Sequence, residues 1–275
     1  MEENQLFNEK SIISKWLTEM YDRDTLETDD VEFLLSVIGP APKRILEIAC
    51  GSGRILVPLA KAGHTVTGLD FDEYMLNRIE DKSRGMNNIS WRKADAIADD
   101  WGSDFNFVVI AGNFLFNIIS DMDYEKAQRL LIEKAAKALV PGGSIYIDYG
   151  YTLCPENWFG NQEERVIWQG TDSSGNTGKM SITDSTFNKK TGFTNFLRKF
   201  ELTCSGGEII RQDIPSSKHF ATLTQIHDWL SSSGFTVEEE YGDYSRNPIS
   251  EATSRAIIRA SFDPFHQINR EALPV

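Results

Sequence analysis

A chain of 275 residues with a formal net charge of −13 at pH 7 is long enough for one large or two small domains, with core to cover a sheet on both faces. No basic stripe of the kind that tracks phosphates is visible, which argues against a nucleic-acid substrate; the same acidic balance argues against a membrane surface, and no stretch approaches the roughly 18 apolar residues of a spanning helix. The opening MEENQLFNEK is too polar for a signal peptide, and the widely spaced Cys50, Cys154 and Cys204 offer neither a disulfide framework nor a zinc spacing, so a reduced, cytoplasmic setting is the expectation.

Residues 12–20 and 30–38 carry helical periodicity, the second run stopping before Pro40. Residues 44–49 then form a short apolar run broken by Glu47, the pattern of a buried parallel strand. It is followed at once by Cys50-Gly51-Ser52-Gly53, whose glycines let the backbone turn sharply and a ligand approach without meeting a Cβ. Ile55, Leu56, Leu59 and Ala60 recur at helical spacing, and Gly63 stands where a left-handed stop is expected. A second strand, 65–69, ends at Asp70, where a carboxylate can accept hydrogen bonds from ribose hydroxyls. The loop discriminates between two ligands of this class. A dinucleotide pyrophosphate wants G-x-G-x-x-G, and its third glycine is here Leu56. Glu47, inside the strand, can reach across the turn to an amine. Both features favour S-adenosylmethionine, with its amino-acid head group, over a nicotinamide cofactor.

Asp72 is placed to cap a helix whose Met75, Leu76 and Ile79 face the core, setting Phe71 and Met75 beside an adenine near Asp70, with ordinary packing as the alternative role. A third strand, 89–93, leads to Asp95-Ala96-Ile97, which sets a carboxylate against an adenine amino group with an apolar neighbour on its face. The fourth strand, 105–111, is the most apolar and opens into Gly112-Asn113-Phe114-Leu115-Phe116-Asn117. Ligands of open α/β sheets gather outside the carboxyl ends of strands. Asn113, Phe114 and Asn117 are therefore candidates to orient an acceptor, capping and packing being the alternative for the asparagines. A long amphipathic helix, 123–139, ends at Pro141-Gly142-Gly143, and a fifth strand, 144–149, runs into Asp148-Tyr149-Gly150-Tyr151. Its carboxylate and phenols are candidates to bind or deprotonate an acceptor, with closure of the pocket as the other role for Tyr149.

The run Glu47-Ile48-Ala49-Cys50-Gly51-Ser52-Gly53 resembles the E/D-x-G-x-G-x-G signature of class I S-adenosylmethionine-dependent methyltransferases, with Ala49 in place of the first glycine. Asp70 resembles the family's ribose-binding acid, Ala94-Asp95-Ala96 its adenine-flanking acid, and Leu139-Val140-Pro141-Gly142-Gly143 its L-x-P-G-G turn, so the likeness spans residues 44–150. It implies a doubly wound, mostly parallel seven-stranded sheet of the Rossmann-like α/β class, S-adenosylmethionine as cofactor and S-adenosylhomocysteine as product. The cofactor contacts it implies are Glu47, Ala49, Cys50, Gly51, Gly53 and Arg54 around the turn, Asp70, Phe71 and Met75, then Asp95, Ala96 and Ile97, and finally Ala111, Gly112 and Asn113. Related enzymes fold an N-terminal aromatic over the cofactor, and Tyr21 is the candidate, with packing between the two N-terminal helices as its alternative.

After residue 154 the pattern changes to short alternating segments at 165–169, 179–187, 194–203 and 208–213, separated by Ser, Gly, Asn and Lys turns. They read as an antiparallel meander covering the acceptor pocket or forming a homodimer interface, with Trp158 and Trp168 its largest apolar residues. A helix at 223–230, stopped by Gly234, and strands at 235–241 and 256–261 complete the family's hairpin ending; the stretch from Ser232 to Tyr244 resembles amine and amino-sugar N-methyltransferases. Of four scattered histidines, His219 is the candidate general base, together with Asp148 and Tyr149, and no His, Cys and carboxylate spacing supports a metal.

The expected division is N-terminal helices over the cofactor site (1–43), a catalytic domain (44–153 and 218–262), a β insertion (154–217) and a tail (263–275). The expected reaction is methyl transfer to a nitrogen or oxygen of a small molecule, without nucleic acid or membrane as partner. Asn113, Phe114, Asn117, Tyr151 and Trp158 are the expected acceptor contacts. A non-catalytic S-adenosylmethionine-binding or scaffold protein is the competing reading.

Overall fold

The computed structural model describes residues 2–24 and 28–265. In chain order its elements are α1 (Glu2–Asp24), α2 (Asp29–Ile38), β1 (Arg44–Ile48), α3 (Leu56–Lys61), β2 (Thr65–Asp70), α4 (Glu73–Leu76), α5 (Ile79–Lys82), β3 (Ile89–Lys93), β4 (Phe105–Ile110), α6 (Phe114–Asn117), α7 (Tyr124–Ala138), β5 (Leu139–Gly150), α8 (Pro155–Phe159), β6 (Arg165–Thr171), β7 (Thr177–Asn188), β8 (Phe193–Thr203), β9 (Ile209–His219), α9 (Leu223–Ser232), β10 (Phe235–Tyr241) and β11 (Arg255–Phe262). They separate into two units: Asp29–Leu153 with the chain from Ala221 onward, and the N-terminal residues through Thr28 with Cys154–Phe220.

The first unit is a seven-stranded sheet in the order β10-β11-β5-β4-β1-β2-β3. All its ladders are parallel except β10–β11 and β11–β5. Central strands covered on both faces must be apolar throughout, and Ile45, Leu46, Ile48, Phe107, Val108, Val109 and Ile110 are all buried. Glu47 is the exception within β1. The strand order reverses at β1–β4, the point at which open α/β sheets leave a crevice beyond their carboxyl ends.

Local chemistry sets the connections. Asp72 caps α4 by accepting from Tyr74 N (2.8 Å) and Met75 N (3.3 Å). The single helix expected there splits in two, because Arg78 N closes on the Met75 carbonyl, one residue short of helical spacing. Leu76 and Ile79 are buried, while Met75 is only half-buried. Asp123 caps α7 through Lys126 N at 3.1 Å. The expected turn at Pro141-Gly142-Gly143 survives as an irregularity within β5: pairing with β4 jumps from Phe105–Leu139 to Phe107–Ser144. Gly68 in β2 carries no side chain because Cys50 Sγ and Leu56 Cδ2 would lie 2.6 and 2.7 Å from its Cβ.

The second unit is the expected antiparallel meander, β6-β7-β8-β9 in sequence order. Its last strand extends to His219 instead of ending before Pro215, since β9 is an edge strand and proline is tolerated there. The insertion consequently runs to Phe220. The N-terminal segment expected to stay together over 1–43 is divided. Ile13, Trp16 and Met20, one stripe of α1, pack on Met180, Phe200, Leu202 and Ile210 of the meander, whereas Val31, Phe33, Leu34 and Ile38 of α2 join the core around β1 and α3. Trp16 Nε1 donates to Gly170 O at 3.1 Å, and Glu19 accepts from Ser173 N at 2.8 Å. Residues 266–275, including His266 and most of the expected tail, lie outside the described residues.

Candidate cofactor site

The turn after β1 is built from left-handed backbone: φ is +57° at Ala49, +53° at Gly51 and +80° at Gly53. Glycine adopts this region freely, but an alanine Cβ meets the following carbonyl. The cost of Ala49 in place of glycine is thus conformational and not a matter of room. Ala49→Gly is expected to stabilise the protein by about 0.5–1 kcal/mol, the strain relieved less the added freedom of the unfolded chain; thermal unfolding of the two proteins measures it.

Asp70 ties this turn to the end of β2. Its Oδ2 accepts from Gly51 N and its Oδ1 from Asp72 N, each at 2.8 Å. Burial raises its proton affinity, and these backbone donors oppose that. A cleft opens beside it, lined by Ala49, Leu69, Asp70, Phe71, Ala94, Asp95, Ala96, Ile97, Phe114, Asn117, Ile118 and Ile119. Asp95 shapes the far wall: its Oδ1 accepts from Ile97 N (2.7 Å) and Ala98 N (3.1 Å), and Trp101 Nε1 holds the Ala96 carbonyl at 2.9 Å. Phe71 and Ile119 are exposed at the rim, an apolar edge suited to the face of a purine.

Glu47 is buried and its Oε2 has no hydrogen-bond partner. Desolvation raises its pKa well above the ordinary carboxylate value; the Arg54 charge opposes this and the Asp70 and Asp30 charges add to it. Arg54 is held by Asp30 of α2, Nη1 to Oδ1 at 2.8 Å and Nη2 to Oδ2 at 2.6 Å. Burial and the neighbouring carboxyls push the Cys50 thiol up, which leaves it chemically quiet.

The cleft thus gathers Ala49, Asp70, Phe71, Asp95, Ala96 and Ile97 from the expected cofactor set, and it takes in Phe114 and Asn117, which were assigned to the acceptor. Ile118 and Ile119 were missed, since a short apolar run after a half-turn carries no signature of its own. Asn113 adopts φ +65° and accepts from Gly150 N through its Oδ1, a brace between the ends of β4 and β5. Glu47, Met75, Cys50, Gly51, Gly53, Arg54, Ala111, Gly112 and Asn113 are not among the residues lining the cleft, and Tyr21 belongs to the other unit.

Of the three expected catalytic residues, Asp148 and Tyr149 lie on β5 of the first unit and His219 on β9 of the second. Asp148 is 2% exposed; its Oδ1 accepts from Arg255 Nη1 and its Oδ2 from Tyr244 OH at 2.9 Å, partners that sequence reading did not foresee. Tyr149, next along β5, points to the opposite face, where it is buried and packs edge-on against Tyr151 with ring centroids 5.8 Å apart. Burial lifts the pKa of both Asp148 and Tyr149. His219 belongs to the other unit, buried beside the Phe193 ring at 5.2 Å and over Gly192, where a Cβ would come within 2.9 Å of its Nε2. Tyr21 meets Trp168 edge-on at 6.3 Å within that unit, and Trp158 meets Phe159 at 6.2 Å.

Residues 45–143 match the family described as a methyltransferase domain. That stretch of the chain is a methyltransferase domain. A putative methyltransferase of Bacillus subtilis, YqeM, is 24% identical to it over 233 residues, 80% of this chain and 85% of that protein. An S-adenosylmethionine-dependent methyltransferase from Clostridium acetobutylicum superposes with a TM-score of 0.69 at 14% identity, covering 94% of this chain and 99% of its own. S-adenosylmethionine-bound CalS10, an amino pentose methyltransferase from Micromonospora echinaspora, superposes with a TM-score of 0.63 at 16% identity, covering 89% and 96%. S-adenosylmethionine is the methyltransferase's cofactor, and the site fits it: a carboxylate at the β2 end, an apolar cleft beside it, and a buried carboxyl oxygen with no partner within the protein.

Proposed function

We propose that this methyltransferase transfers a methyl group to a nitrogen of a small, sugar-like amine. The observation that carries the reading is the extent of the likeness to the amino pentose methyltransferase, which takes in 89% of this chain and therefore reaches beyond the shared sheet into the inserted meander. The acidic net charge of −13 also favours a cationic acceptor over a polyanionic one.

Bound S-adenosylmethionine supplies a methyl group already activated by its sulfonium. The protein's contribution is binding and alignment. Asp70 accepts the ribose hydroxyls, Asp95 and the apolar rim hold the base, and Glu47 accepts the amino-acid ammonium. Asp148 and Tyr149 are buried and engaged on opposite faces of β5, so an amine that binds as a cation would have to give its proton to water before its nitrogen could accept the methyl group.

Calorimetric titration tests the cofactor half, with S-adenosylmethionine and S-adenosylhomocysteine expected to bind in the micromolar range and NAD not to bind. A panel of amino sugars, simple amines and phenols incubated with the protein and S-adenosylmethionine, read by mass spectrometry, tests the acceptor half. Methylated amino sugars support the reading. Exclusive methylation of phenols overturns it in favour of oxygen transfer.

A further inference from the structure

Beside the turn lies a cluster of charge, buried at Glu47 and Asp148 and half-buried at its other members. Asp30, Glu47 and Asp148 are its carboxyls, and Arg54 and Arg255 its cations. Arg255 pairs with Asp148, and Arg54 pairs with Asp30, whose Oδ1 also accepts from Val31 N at 2.8 Å. Glu47 is left with a buried oxygen that no group of the protein meets.

The charged groups acting on Glu47 come from three places in the chain. Arg54 follows the glycine turn, Asp70 ends β2 and Asp30 begins α2. Tyr146 of β5, whose buried hydroxyl likewise lacks a partner, lies within the field of Asp30. Arg54 is the cation among these that favours the ionised Glu47 carboxyl, and Asp30 carries the charge that offsets it.

We infer that Asp30 is a positioning residue for the amino-acid end of S-adenosylmethionine: by gripping Arg54 at two points it keeps that cation from neutralising Glu47, which is left to receive the ligand's ammonium. The inference rests on the cofactor reading above and adds a residue remote from the signature. A two-pronged carboxylate–guanidinium pair fixes direction as well as charge, so Asp30 also settles where the turn's arginine lies.

The test compares S-adenosylhomocysteine with 5′-methylthioadenosine, which keeps the nucleoside and lacks the amino-acid end. Asp30→Asn is expected to weaken the first about tenfold, the scale of one charged hydrogen bond, and to leave the second within about twofold of its original affinity. Affinity for S-adenosylhomocysteine rises with pH as Glu47 ionises. In Asp30→Asn that rise moves to lower pH, because an uncompensated Arg54 favours the ionised carboxyl. Asp30→Glu, which keeps the charge, restores most of the affinity and serves as the folded reference. Equal weakening of both ligands with an unmoved pH profile would show a merely structural role and overturn the inference, as would unchanged binding of S-adenosylhomocysteine. If the unsubstituted protein binds neither ligand, the cofactor reading falls first and the inference with it.

Discussion

Asp70→Ala is expected to lower affinity for S-adenosylmethionine by more than about 100-fold, since several hydrogen bonds to a charged acceptor are lost together. Within the protein Asp70 accepts from Gly51 N and from Asp72 N. Its loss therefore releases the glycine turn and the start of α4, besides removing the proposed acceptor for the ribose hydroxyls. Asp70→Asn keeps one carbonyl oxygen and should fall between the two. Calorimetry at fixed pH reads both variants, with unfolding followed in parallel to separate lost binding from a lost fold. Micromolar affinity in a folded Asp70→Ala protein would show that the cleft beside β2 does not hold the ribose.

The second large effect is on stability. Asp148→Ala is expected to cost about 3–5 kcal/mol, because it leaves the Arg255 guanidinium, largely buried, without its carboxylate. The Tyr244 hydroxyl loses its acceptor as well. Replacing both ends of the pair, as Asp148→Leu with Arg255→Met, should recover much of that loss, since two apolar side chains of suitable volume need no partner. Urea unfolding measures the cycle. Activity assayed well below the unfolding midpoint separates this role from that of a general base. Large loss of turnover in a variant of unchanged stability would restore Asp148 to the chemistry.

The elements that could be read from the chain are those whose signals are local. A glycine turn between an apolar strand and an amphipathic helix, followed by a strand ending in Asp70, places three elements and a carboxylate in one short stretch; every step of that argument depends on neighbours in sequence. The meander was legible for the same reason, through alternation punctuated by turn residues. Its last strand, read as ending at 213, runs on through Pro215 to His219, because proline is tolerated in a strand that lies at an edge, and edges are made by the whole sheet. The division of the N-terminal segment was hidden likewise. The stripes of α1 and α2 both announce a buried face, and neither announces against what.

Function divides along the same line. The sequence by itself determined the sheet, the glycine turn, the carboxylate at the end of β2 and the class of cofactor, because backbone freedom, hydrophobic period and a carboxylate at a strand end act over a few residues. Only the tertiary structure decided which polar groups are partners. It turned Asp148 and Tyr149 to opposite faces of β5, set Arg255 and Tyr244 on Asp148, and brought Asp30 to Arg54. Charges interact across space at a few ångströms, and two residues far apart in the chain carry no mark of each other until the fold has closed.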